Sequence, residues 1–402
     1  MRLYISKEEK TSGKNIVTDD MILTKGLPTS AGSKMLDGYN SLFEATVVTK
    51  LAENGYCISG KANTGEMNID LLGETSYYGA CTDEQGKLKN ACAEIVKTDE
   101  AQAAVVLDVN GVPARAAALS GLVYIKPTYG TVSRFGTIPG ACSGETVGVM
   151  AKSAAKCREV LSVMAGHDDN DGTSLPEEKC ALLKADAERK AVKKIAVVKA
   201  MVNDVDSDVT AKIDAFKAEA QEKGIEVVEI DGKELLLAKP AWNILMSAEV
   251  CNNVSRYDGV KYGYRAKEYS DIDELYTNSR TEAFGYLLKS TILFGSETLS
   301  TDNYFRVYDK ALRMRRVISE YLEEVLKEYD AILLPACSKS EYNADEVIAD
   351  AYTAYKESVF TAPALISGLP AVTVNGIQLV GNMFEENSLL DVAELFEKEG
   401  DK

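Results

Sequence analysis

Two β-branched runs, KIAVVKA (194–200) and GIEVVEI (224–230), stand on either side of a helical stretch, DVTAKIDAFKAEAQEKG. Strand, helix and strand in that order argue for parallel pairing, because two parallel neighbours can only be joined by a long crossover. A sheet covered by helices is therefore required. Other segments agree. ATVVTKLAEN (45–54) has apolar positions at helical spacing, with Gly55 as its stop, and YCISGKAN after it reads as a strand. SAAKCREVLSVMAG (153–166) is a second helix closed by a glycine. The amphipathic DKALRMRRVISEYLEEVLKEY (309–329) runs into the strand AILLP (331–335). AVTV (371–374) and IQLV (377–380) flank Asn375-Gly376, a hairpin turn signal, and SLLDVAELFEKEG closes the chain as a helix. The fold class is α/β, a central mixed or parallel twisted sheet with helices on both faces. The expected organisation is a single domain over 1–402, with 175–270, richer in Lys, Glu and Asp, as a candidate subdomain.

Charge narrows the function. Sixty-two acids against 45 bases give a net charge of −17. Direct nucleic-acid binding is not expected, since phosphate contacts need Lys and Arg. The basic run Arg189, Lys190, Lys193 and Lys194 is short, with Asp186 and Glu188 just ahead of it. No apolar run reaches membrane-spanning length, and the start lacks the apolar core of a secretory signal. The eight cysteines are scattered without a CxxC, which suits reduced thiols in a cytoplasm. With one histidine, His167, sites built on several His ligands are excluded, and no metal or cofactor is expected.

The block GLVYIKPTYGTVSRFGTIP (121–139), followed by SGETVGVMAKSAAKCREVLSVMAGHDDNDGTS, is the most specific motif. It resembles the core of the amidase signature family, whose members read G-K-P-T-x-G-R-V-S-R-x-G before a helix ending in A-G-H-D-x-x-D. ILTKGLPTSAGSKML, residues 45–76, MSAEVCNNVSRYDGVKYGYRA (246–266) and SVFTAPALISGLPAVTV (358–374) continue the likeness in family order. Several of these blocks are similar to the A subunit of tRNA-dependent amidotransferases in particular. The resemblance implies the amidase-signature fold. It also implies amide hydrolysis by a Ser nucleophile, a bridging Ser and a buried Lys that can sit neutral near pH 7.

At the implied positions this chain carries other residues. Counting back from Thr24-Lys25-Gly26 places Asp19 where the family has the Lys; Lys14 would need a five-residue slip. Between Gly79 and Asp108, where the bridging serine's glycine-rich loop belongs, there is no Ser and only Gly86 as glycine. Counting back from Lys126-Pro127-Thr128 places Val112 at the nucleophile. Loss of a Ser nucleophile costs roughly 10⁶-fold in rate. The family's two charged anchors for the glutamine substrate fall on Ser290 or Thr291 and on Ser358. The family's helical segment before the Lys motif is almost wholly missing.

Asp108, Arg115 and Ser143 are the candidates for a remnant pocket, with an Asp108–Arg115 ion pair the expected filling. Cys92 and Cys142 read as buried structural thiols, His167 as a polar helix terminus, and Asp168, Asp169 and Asp171 as a solvated turn. The Tyr257, Tyr262 and Tyr264 cluster reads as packing. Three functions remain open. One is a catalytically silent scaffold, regulator or ligand-binding protein, docking on B- and C-like amidotransferase subunits or on a second copy of itself. The second is an active amidase or amidotransferase component using other residues. The third is a binding protein of unrelated role. Whether segment 80–107 closes or opens the old pocket is also open.

Overall fold

In the computed structural model, which describes residues 2–8 and 13–397, the alternation of short apolar runs with helical stretches builds one large sheet. β1 (Tyr4–Lys7) and β2 (Lys14–Asp19) come first. α1 (Thr46–Glu53) buries Val47, Val48 and Leu51 and ends before Gly55, whose φ of 80° suits glycine. β3 (Tyr56–Ala62) follows, then a small hairpin of β4 (Cys81–Thr82) and β5 (Leu88–Lys89). α2 (Ala91–Lys97) starts at Asn90, whose side chain accepts from Ala93 N. β6 (Ala103–Asp108), α3 (Val112–Ser120), β7 (Val123–Lys126), β8 (Thr146–Ala151) and α4 (Ala154–Met164) come next.

A short turn, α5 (Glu177–Cys180), leads to β9 (Lys194–Val198), α6 (Lys199–Val202), α7 (Ser207–Glu222) and β10 (Glu226–Ile230). β9 and β10 pair in parallel over their whole length, as the strand–helix–strand pattern requires. α8 (Ala238–Val254), α9 (Ile272–Ala283), α10 (Tyr286–Thr298) and α11 (Asp309–Glu328) precede β11 (Ala331–Pro335). α12 (Ala344–Ala349) and α13 (Tyr352–Ser367) precede the hairpin of β12 (Ala371–Val374) and β13 (Ile377–Gly381), and α14 (Glu386–Leu395) follows. Asn375 and Gly376 take φ of 48° and 86°, the two left-handed residues of the tight turn that Asn-Gly announces. Residues 398–400 of the closing helical stretch lie outside the described residues.

The sheet has eleven strands in the order β1-β3-β2-β6-β8-β7-β12-β13-β11-β9-β10. It is mixed. β3, β2 and β6 run parallel, as do β11, β9 and β10, while the strands between pair antiparallel. β6 and β8 are buried at every position, so they read as unbroken apolar runs rather than alternating ones. Strands β9 and β10 from the 175–270 stretch join this sheet through β11. Among the described residues no helix is long and apolar enough to cross a membrane.

α8 and α10 meet at Gly295, and this contact sets one wall of the cavity described below. A Cβ on Gly295 would fall 2.0 Å from Ser247 O and 2.8 Å from Cys251 Cβ. Only a residue without a side chain permits so close an approach. Gly295→Ala gains about 1 kcal/mol of helix propensity but overpacks against backbone, at about 3 kcal/mol. A net loss of about 2 kcal/mol is expected in urea unfolding.

Candidate functional site

β2 ends in two adjacent carboxylates, and their burial organises everything around them. Asp19 accepts from Met21 N at 3.1 Å, Leu107 N at 2.8 Å and Asn68 Nδ2 at 2.9 Å. Burial pushes its carboxyl up to about 7, against the pull of the Leu107 amide and of Lys61. Asp20 accepts from Ser30 N at 2.7 Å and from the Ser30 hydroxyl. Its Oδ1 stands 4.0 Å from Lys61 Nζ, and neither side chain is exposed. Lys61 also donates to Ile22 O. The amine at this site therefore sits on β3, not at the end of β2 where the resemblance puts it. Lys14, the alternative by slippage, lies at the exposed start of β2 and pairs with Glu159 at 2.6 Å.

β6 delivers the chain to the next position. Asp108 accepts from Gly111 N at 2.6 Å and from the Tyr124 hydroxyl at 2.9 Å, which fixes the turn into α3. Gly111 has φ 79°, and a Cβ there would fall 2.2 Å from Thr361 Oγ1, so the turn needs glycine. Val112, which the resemblance puts at the nucleophile, then begins α3 as a buried apolar residue. The void beside it measures about 10 Å³ and is lined by Asp19, Asn68, Cys92, Val112 and Met150 among others. One water needs roughly that volume. From the 80–107 segment, α2 brings Cys92 into the wall of this void. Burial holds the Cys92 thiol well above its ordinary pKa.

Ser290 and Thr291, which the resemblance puts at one anchor, line a larger cavity together with Asn110, about 760 Å³, between α8, α10, α12 and α13; Ser358, put at the other, is not in its lining. Ser290 and Thr291 turn their hydroxyls back to Tyr286 O and Leu287 O at 3.0 and 2.9 Å. Ser358 donates to Tyr355 O at 2.8 Å and accepts from Asn243 Nδ2 at 2.9 Å. All three hydroxyl protons are thus given to backbone carbonyls.

The remaining candidates separate. The expected Asp108–Arg115 ion pair is not made. Arg115, fully buried one turn into α3, donates instead to Leu71 O (3.0 Å), Asp70 O (3.0 Å) and Asn110 O (2.9 Å). Its guanidinium gathers three backbone carbonyls at once, a task that five N–H groups in a rigid fork suit. Ser143 joins neither: its N–H donates to Glu249 at 2.9 Å and its carbonyl accepts from Arg315 at 2.8 Å. The turn after α4 also differs from expectation, for Asp168 is buried. Burial raises its carboxyl, but hydrogen bonds from Ser133, Thr46 and Asn170 outweigh that and hold it at about 2. His167 is exposed, its ring nitrogens near Leu175 O and Asp169. Cys142 accepts from Asn253 at 3.5 Å, and burial pushes its thiol up to about 11. Tyr257 is buried and meets Tyr262 edge-on at 6.1 Å. Among the described residues no three His, Cys, Asp or Glu side chains gather as metal ligands. Lys61, Asn68 and Asn110 are the site residues that sequence reasoning missed; a lysine near the end of the strand YCISGKA was the available signal.

The model of the amidase family matches residues 13–87 and 101–390. The A subunit of glutamyl-tRNA(Gln) amidotransferase from Coxiella burnetii is 34% identical over 418 aligned positions, covering 99% of this chain and 86% of that protein. Its counterpart in Lacticaseibacillus casei is 32% identical, with 99% and 85% covered. Among solved structures, the A subunit of the Thermotoga maritima enzyme superposes with a TM-score of 0.82 at 27% identity, over 99% of this chain and 87% of that one. A 6-aminohexanoate cyclic dimer hydrolase shares the fold at a TM-score of 0.78 and 17% identity, with 95% and 84% covered.

A group whose folded pKa is raised stabilises the fold below its unfolded value and loses that contribution as pH climbs through the folded one. For Asp19 the window runs from 3.8 to about 7. Between pH 5 and pH 8, urea titrations of the native protein should lose about 2–3 kcal/mol more than those of Asp19→Asn.

Proposed function

This chain belongs to the amidase signature family, and on that footing we propose that it keeps the family's fold without the family's amide-hydrolysing machinery. One observation carries the reading. The space between Asp19 and Val112 is about 10 Å³, and Val112, Met150 and Cys92 occupy its wall where a reacting carbonyl would have to sit. A substrate carbonyl with a nucleophile about 3 Å away cannot be placed in a void of one water. Asp19 spends its oxygens on three N–H donors, so it is held as a structural acceptor rather than aimed at a reactant. On this reading the protein is a scaffold, regulator or ligand-binding relative of the amidotransferase A subunit and works in the cytoplasm. B- and C-like subunits, or a second copy of this chain, are its partners.

A second reading is an active amidase or amidotransferase component. The near full-length likeness to proteins carrying that name favours it. It would require a nucleophile outside the family's positions, and the buried thiol of Cys92 is the one beside the void.

Ammonia release separates the two. Purified protein incubated with L-glutamine or L-asparagine should release ammonia no faster than a protein-free blank. Release above the blank that disappears in Cys92→Ala would overturn the proposal in favour of the second reading. Co-purification from the native cell tests the partners: recovery of other amidotransferase subunits, or a dimer by light scattering, is expected, and a solitary monomer counts against docking.

A further inference from the structure

β9, β10 and β11 run parallel, in the spatial order β11-β9-β10. The chain leaves β9 to one side, through α7 to β10, and comes back to the other side as β11. Open α/β sheets bind ligands at such a reversal, in the crevice at the carboxyl ends of the strands. A cavity of about 840 Å³ lies there. Asp204 and Asp206 line it after β9, Lys239 after β10, and Ser338 and Tyr342 after β11. It is separate from the cavity at Asn110. Thr353, Lys356, Glu357 and Phe360 reach it at helical spacing from one face of α13, while Tyr352 and Tyr355 line the other cavity from the opposite face.

The lining decides what charge fits. Crevices of this kind that hold phosphates offer free amides in a glycine-rich turn after the first strand. Here that turn is Lys199-Ala200-Met201-Val202, without glycine. Ala200 N is taken by Asp231 O at 3.1 Å, and Asp204 and Asp206 follow. The lysines do not reverse this. Lys87 and Lys356 are held by Glu341 and Asp350 at 2.6 and 3.1 Å, Lys239 lies over the Tyr355 ring at 5.0 Å, and Lys339 is exposed. Asp204, Asp206, Glu346 and Glu357 line the cavity with no ion pair among the described residues.

Two of the lining groups are buried and incompletely met. Glu357 is 5% exposed, and its carboxylate accepts from Ser338 N at 2.8 Å and from the hydroxyl of the same, partly exposed serine. A carboxylate offers about four acceptor sites, so about two remain. Tyr342 is 4% exposed, and its hydroxyl has no hydrogen bond among the described residues. Burial and then the charge of Glu357 raise its pKa, which sets the hydroxyl close to that carboxylate. Buried charges are normally paired, and an ammonium with three N–H donors serves both groups. Asp206 belongs to the same spot, since its N–H donates to Ser338 O at 2.8 Å. Among the described residues no three acids gather as ligands for one metal ion, so the charge is spread along the cavity. Met201, Val347 and Phe360 add buried apolar surface to the lining. The geometry points to a linear diamine or polyamine, with one ammonium at Glu357 and Tyr342, its methylenes on the apolar surface, and a second ammonium toward Asp204 and Asp206.

1,4-Diaminobutane, 1-butylamine and 4-aminobutanoate form the test, read by ligand-observed NMR on the full chain. About 0.15 M NaCl screens the general pull of a chain with net charge −17 beyond about 8 Å. The diamine should bind with a Kd of about 1 mM. Butylamine lacks the second ammonium, and aminobutanoate puts a carboxylate in its place; each should bind about tenfold more weakly. Asp206→Asn and Glu357→Gln should each weaken the diamine several-fold. Asp206 is exposed and makes no side-chain cap to α7, so its variant keeps the fold and decides the matter if Glu357→Gln lowers the Tm. No diamine binding at about 10 mM, butylamine or aminobutanoate binding as tightly as the diamine, or native-like binding by Asp206→Asn would each overturn the inference. No residue of the void at Asp19 and Val112 takes part, so this result and ammonia release fail separately.

Discussion

The Lys61–Asp20 ion pair, closed off entirely from water, is the constraint on which the rest of the structure depends. Burial drives the lysine's pKa down and the aspartate's up, so each charge is costly alone and each needs the other. The pair ties β3 to the end of β2, where the two strands run parallel. Asp20 then holds the turn at Ser30, and Asp19 reaches across to Leu107 on β6 and to Asn68. Two consecutive carboxylates thereby fix three neighbouring strands and the loops between them. Removing one partner of such a pair typically costs 3–5 kcal/mol, because the other is left buried and unpaired.

The same arrangement leaves Asp19 poorly placed to act as a general base. A general base needs an unspent lone pair within reach of a substrate proton and room for the substrate. Asp19 has its oxygens on three N–H groups, and α2 presses Cys92 into the adjacent space. The larger cavity lies between α8, α10, α12 and α13, and Gly295 lets the first two of these pack closely.

Much of the fold was legible in the sequence because its signals are local. The β9–α7–β10 unit, the Asn375-Gly376 turn and the helices ending before Gly55 and Gly166 each depend on residues a few positions apart. β6 and β8 carried no such signal, since strands buried on both faces have no period to read. Asp19 and Val112, picked out by position alone, do line one small void together. The site was not legible at Arg115, paired by expectation with Asp108 across a short stretch, but bonded in fact to Leu71 and Asp70 more than forty residues upstream. Lys61 and Asn110 were hidden for the same reason, because their partners Ile22 and Ile69 lie 39 and 41 positions away. Asp168 looked solvated in an acidic run, and only tertiary contact with Thr46 and Ser133 shows it as a buried hub.

Whether an activated serine stands ready in this fold can be read from the intact mass of the native protein after exposure to a fluorophosphonate, which phosphonylates such a hydroxyl. If the site is silent, as proposed, the mass stays unmodified. A stoichiometric single adduct, mapped to a residue lining the void at Asp19 and Val112 or the cavity at Asn110, would contradict it.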